Sequence, residues 1–153
     1  MSTDDELQFV VFRVGPQEFA LDIFQVERIL RYEKPASLPK APEYLEGVVQ
    51  YGEGVVPVID LRKRLGVPAT FKEETRVMIL QLEAHRVGVV VDQVLEVLRV
   101  DAPAIAAPPP MVRGLAAAYI SGIISRQSRM IVVLNAAKLF TSKEKLALAA
   151  AAG

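Results

Sequence analysis

Cysteine is absent from the chain, so neither disulfides nor thiolate-ligated metals can contribute to its stability, and a reducing, intracellular compartment is compatible with it. An excess of one charge is absent too: 18 Lys and Arg offset 18 Asp and Glu, for a formal net charge of zero. Nucleic-acid binders ordinarily carry a positive excess to neutralise phosphates, so the balance argues against that class while leaving room for a local patch. No apolar run approaches the ~18 residues needed to cross a bilayer. The opening residues 1–6 are acidic and have no apolar core, unlike a signal peptide. A soluble protein without direct membrane insertion is expected.

Reactive groups are equally scarce. The single histidine, His85, falls in the reversal at residues 83–86 and reads as a solvated turn residue, because one imidazole with no nearby Cys or paired carboxylate cannot close a metal site. Ser121, Ser125 and Ser128 lie in or beside expected strands without the spacing of a nucleophile elbow. The run Gly52, Glu53, Gly54 is too short for a phosphate loop and lacks the Lys-Ser/Thr that would follow one. Catalysis, a metal and a cofactor are therefore not expected.

What the chain does contain is β-structure. Its 153 residues suit one domain, enough to bury roughly 70% of the surface exposed on unfolding. Residues 47–62 are the most informative passage. Val48, Val49 and Tyr51 favour a strand, Gly52 and Gly54 allow a tight reversal, and residues 55–59 resume a β-branched run. Pro57 cannot donate to a ladder, so an edge or a bulge is expected there. Asp60 then caps a short helix over 61–65 that Gly66 and Pro68 end. Residues 9–14 form a strand dense enough in β-formers to be buried on both faces, and Gly15 and Pro16 turn it. Phe19, Leu21 and Ile23 alternate with Glu18, Ala20 and Asp22, the period of a half-buried strand, and Asp22 can cap a single turn. Three prolines within residues 35–42 make a loop.

The chain repeats itself. A shift of 68 positions lays residues 8–14 on 76–82, Gln25 and Val26 on Gln93 and Val94, and Pro35 on Pro103. After seven extra residues near 108–114, a shift of 75 lays Gly47 on Gly122 and residues 55–60 on 130–135. Each copy holds about five short strands and a terminal helical turn, the content of a small, partly open barrel. A half of ~70 residues has a marginal core alone, so the two copies are expected to pack through apolar surface. Thr141 and Glu144 match a capping box, and the Ala-rich end implies a C-terminal helix over 142–152. Asp60 and its repeat equivalent Asn135 read as helix caps, Asp92 as a cap or turn residue, and Met78, Met111 and Met130 as core filler. Arg62, Lys63 and Arg64 read as a solvated helix face. What remains is a protein that works by presenting apolar patches to other proteins.

The residues in this order resemble the CheW family, the coupling proteins of bacterial chemotaxis, over nearly the full length. The matching segments are 9–15, 18–23 with Val26, 39–42, Gly47 with Val48, 56–62, 87–92 with Val94, and Gly122 with Ile123. The resemblance implies a mainly β fold of two intertwined five-stranded SH3-like β-barrel subdomains, with short helical turns and a C-terminal helix. Within a single CheW-like domain over 1–153, barrel 1 would take about 7–66 and barrel 2 about 75–140, with strand exchange allowed. It further implies a non-enzymatic adaptor that couples the cytoplasmic tip of methyl-accepting receptors to the regulatory domain of the histidine kinase CheA. The protein would then be cytoplasmic, at membrane-associated receptor arrays. By position, Val26 matches a partner contact on the first barrel and Val10 lies near it, Gly47 opens a family motif, and Val87 lies where a groove between the barrels would receive a receptor helix.

Three departures stand out. Gly52 replaces an arginine that the family uses in receptor coupling, Arg28 stands where members often carry Glu, and Asn135 replaces Asp near the end of the second barrel. The first two change charge on the expected partner face and suggest a divergent paralogue, because charge placement sets specificity more than affinity. Two further readings stay open at this point: a CheW-like scaffold of a non-flagellar system for pili or gene regulation, and a small-barrel nucleic-acid-binding protein.

Overall fold

The computed structural model describes residues 6–83, 85–107 and 119–140. The first copy of the repeat supplies β1 (Glu6–Val14), β2 (Gln17–Asp22), β3 (Val26–Arg31), β4 (Leu45–Tyr51), β5 (Gly54–Asp60) and the helical turn α1 (Leu61–Arg64). The second supplies β6 (Arg76–Leu82), β7 (His85–Val91), β8 (Gln93–Asp101), the short β9 (Ile105–Ala106), β10 (Ile120–Arg126) and β11 (Arg129–Leu134), followed by a 3₁₀ turn at Ala136–Lys138. The C-terminal helix expected at 142–152, Met111 and the insertion at 108–114 lie outside the described residues.

The strands pair across the two copies. One sheet runs β8-β1-β2-β11-β10-β9 and the other β3-β6-β7-β5-β4. Each sheet thus takes its central hairpin from one copy and its flanking strands from the other, and the strands of residues 7–66 divide between both sheets. This reciprocal exchange of β1–β2 for β6–β7 is what makes the two subdomains intertwined. The copies match down to their irregularities: the extra residues of the β3–β6 and β1–β8 bulges are Glu27 and Leu95, 68 apart. Those of the β4–β5 and β10–β11 bulges are Glu46 and Ser121, 75 apart.

Three apolar clusters follow from this topology. β1 is buried on both faces: Val10, Phe12 and Val14 enter a central cluster, whereas Phe9 and Val11 enter the core of their own sheet with Ile124, Ile131 and Val133. The central cluster also takes Ile59, Leu80, Val89 and Leu134, so it joins the two sheets, as the marginal size of each half requires. The third cluster, around Val58, Val77 and Ile79, fills the other sheet.

Several local expectations meet their physical limits here. Ala20 is fully buried in its sheet's own core, so β2 is covered on both faces at its centre rather than half-exposed. Pro57 sits neither on an edge strand nor at a bulged residue: β5 is interior, and its parallel ladder to β7 begins only at Val58, one residue after the missing donor. Met78 is core, but Met130 on β11 is 59% exposed. Asp22, Asp60 and Asn135 cap as expected, accepting from the backbone N–H of Phe24, Arg62 and Ala137 at 2.9, 3.0 and 3.1 Å.

Candidate partner-docking surface

The residues expected at a partner face separate into buried and surface positions. Val10 is 3% exposed and Val87 fully buried, both within the central cluster. Among the described residues both side chains are enclosed in the cluster that joins the two sheets, so neither lies at the surface. Gly47 is also buried, and its role is in the backbone: its φ is +148°, and a Cβ there would overlap the Ala36 carbonyl, which pairs with Val48. Val26 begins β3, half-buried against the central cluster, and Arg28 is exposed two residues on. β3 is an outermost strand of its sheet, and Gly52 is exposed at the β4–β5 turn with a φ of +62° and nothing within 4 Å of a Cβ.

Arg28 and Gly52 do come together. They line one open cup of about 740 Å³ with Glu53, Gly54, His85 and Arg86. The bulge at Glu27 brings its carboxylate to Arg86 on β7, with Nε donating to Oε1 at 2.8 Å. The Arg86 guanidinium also lies 5.7 Å from the centre of the Tyr51 ring. The hydrogen bond from Arg86, and then that from Tyr51, hold the Glu27 carboxyl below its ordinary pKa, and the Glu27 bond raises the Tyr51 phenol in turn. Arg28 forms no hydrogen bond or ion pair with any described residue. His85 is not the solvated turn residue expected from sequence. It opens β7, half-buried, and its Nε2 is enclosed with no hydrogen-bond partner among the described residues.

Sequence reasoning also placed Arg62 on a solvated face, and the structure buries it to 3% exposure. Its guanidinium donates to both Asp60 oxygens at 2.9 and 2.8 Å, to the Thr70 carbonyl at 2.6 Å and to Asp92 Oδ1 at 3.2 Å. Asp92 Oδ2 accepts from the backbone N–H of Gly15 at 2.6 Å. This cluster ties α1 to the β7–β8 corner and to the β1–β2 turn, across the junction of the two sheets. Hydrogen bonding to Asp60 keeps the arginine charged despite its burial, raising its pKa above the ordinary value. Its partner Asp92 lies 30 residues away in sequence, and Gly15, which bonds Asp92 in turn, 77 residues from that aspartate, too far for any local pattern to announce them. Among the described residues no group of His, Cys, Asp and Glu could hold a metal, and no helix is long and apolar enough to cross a membrane.

The fold is a duplicated pair of intertwined SH3-like subdomains, in which a buried ionic cluster is a structural clamp and an open cup offers charge to the outside. The CheW-like domain family matches residues 8–144, and the chain belongs to that family of chemotaxis scaffold proteins. The chemotaxis protein CheW of Treponema pallidum is 30% identical over 151 residues, covering 95% of this chain and 89% of its own length. Protein FrzA of Myxococcus xanthus is 31% identical over 147 residues, covering 94% and 91%. The crystal structure of the scaffolding protein TtCheW from Thermoanaerobacter tengcongensis superposes with a TM-score of 0.81 at 30% identity, covering 90% of this chain and 94% of that one.

Proposed function

We propose that this protein is an adaptor that couples the cytoplasmic tip of methyl-accepting receptors to the regulatory domain of the histidine kinase CheA, at membrane-associated receptor arrays. The observation that carries the reading is the match to the CheW-like family over residues 8–144 together with an intact duplicated fold. On this reading β3 and the β4–β5 turn, with Val26, Arg28 and Gly52, form a partner face. Val10, Gly47 and Val87 support that face from within, because their positions are buried. Co-sedimentation of the purified protein with the kinase and receptor fragments of its own organism tests the proposal. Joint pelleting is expected, and failure to bind either one removes the reading.

A second reading keeps the scaffold role but places it in a non-flagellar chemosensory system, for pili or gene regulation. It is favoured by the charge changes at Arg28 and Gly52 and by the similarity to FrzA over nearly the whole chain. Deletion would then impair surface movement or gene output and leave swimming unchanged. The nucleic-acid reading has little to support it, given a net charge of zero, and heparin retention at moderate salt would be its signature.

A further inference from the structure

We infer that the cup at Arg28 is a docking site for a carboxylate, supplied by a Glu or Asp side chain on a partner protein. The inference deepens the adaptor reading above by naming the chemistry of the partner at that face.

The duplication itself provides the comparison. The positions equivalent to Arg28, Arg86 and Gly54 in the other sheet are Glu96, Glu18 and Arg129, related by the same shifts of 68 and 75. The ladders keep that correspondence: Arg28 pairs with Ile79 as Glu96 pairs with Val11, and Arg86 pairs with Gln81 as Glu18 pairs with Arg13. Tyr51 stands opposite Gly54 as Arg126 stands opposite Arg129. In the first sheet the three side chains close on one another. Arg129 donates from Nη2 to Glu18 at 2.5 Å and lies 2.7 Å from Glu96, which raises its pKa far above the ordinary value.

In the second sheet both flanking charges are inverted and the central side chain is missing. Arg86 is paired with Glu27, whereas Arg28 forms no ion pair among the described residues, and the position that would face it carries Gly54. Glu53 lies at the rim, yet it forms no ion pair with Arg28. The geometry that binds an arginine between two carboxylates in one sheet therefore leaves, in the other, the Arg28 guanidinium beside an opening. His85 lines the same cup, but its Nε2 is buried and is not presented to the opening, so Arg28 is the donor the cup offers. A carboxylate carries the matching charge and accepts from the guanidinium. A protein side chain suits an open, shallow cup better than a free small anion, which needs enclosure to be held.

The test has two arms. In the first, affinities for the kinase regulatory domain and for the receptor-tip fragment are compared between wild type and Arg28→Glu, with matched thermal melts. The variant is expected to weaken one of the two by about tenfold or more, and Glu53→Gln to strengthen the same one. Wild-type affinity for both in Arg28→Glu overturns the inference and leaves the adaptor reading standing. If neither fragment binds wild type, the adaptor reading fails and the second arm decides the chemistry of the cup. There the full-length protein carries Gly54→Glu or Gly54→Gln, which places a carboxylate or its neutral isostere at the central position. The Glu variant is expected to melt about 1–3 °C above the Gln variant at low salt, and the gap to vanish on adding Arg28→Ala. A Glu variant that melts at or below the Gln variant overturns the inference.

Discussion

Arg62 shows how much can hang on one side chain. Its guanidinium reaches Asp60, Asp92 and the Thr70 carbonyl together, and Asp60 and Arg62 side chains are 5% and 4% exposed. Removing the arginine would leave Asp60 buried without its bidentate donor and Asp92 without one of its two partners. Arg62→Ala is therefore expected to lower the unfolding free energy by about 3–5 kcal/mol. Arg62→Lys should recover only a small part of that, because one ammonium cannot span both Asp60 oxygens and the Thr70 carbonyl. Urea denaturation of the two variants checks this, and a loss under about 1 kcal/mol for Arg62→Ala would show that the cluster is solvated in solution. The neighbouring Lys63 behaves as its surroundings suggest: it is well exposed and paired with Glu46 at 2.9 Å.

At the scale of elements, the link among β3, β4 and β7 through Glu27, Tyr51 and Arg86 responds to pH in two directions. Glu27 has a folded pKa below the ordinary 4.5, so its contribution is present above that value and is lost as pH falls through the folded pKa. Tyr51 has a folded pKa above the ordinary 10.0, so its contribution is complete below that value and is lost as pH rises through the folded one. Tyr51→Phe removes the shared hydrogen bond. Its stability difference from wild type is expected to be flat between about pH 5.5 and 9 and to shrink outside that range, as measured by urea melts across pH. A difference that does not change below about pH 4 would mean that Glu27 and Tyr51 are not bonded in solution. This link also marks where sequence reading stops. The hairpin at Gly52 and the caps at Asp60 and Asn135 were legible because each rests on neighbours in the chain, and the repeat because its copies keep fixed shifts of 68 and 75. Glu27 was not, because its direction is set by a bulge against β6, and Arg62 was not, because a charged triplet beside Leu61 and Leu65 looks the same in sequence whether water or two aspartates face it. Val10 and Val87 follow from the resemblance by position alone, and the structure buries both, because β1 and β7 are covered on both faces and alternation there does not separate inside from outside.

For the whole molecule, the exchange of hairpins decides how the two halves depend on each other. If each copy had folded on itself, cutting between them would leave two barrels held only by their shared apolar contact. Here residues before the crossing supply β1 and β2 to one sheet and β3, β4 and β5 to the other, so four ladders bind the halves: β1–β8, β2–β11, β3–β6 and β5–β7. The central cluster adds Phe12, Leu21 and Ile59 from one half against Leu80, Val89 and Leu134 from the other. The crossing itself is exposed over residues 68–74 and carries no strand. A specific protease site inserted between Pro68 and Ala69 should therefore be cleaved readily, and the nicked protein should elute from a sizing column at the position of the intact one while running as two bands on a denaturing gel. Its unfolding in urea should remain a single transition by far-UV circular dichroism and by tyrosine fluorescence, at a lower midpoint set by the entropy that the cut releases on separation. Two pieces that part on the native column would mean that each sheet can be completed by one copy alone, and that the pairing across copies does not hold the molecule together.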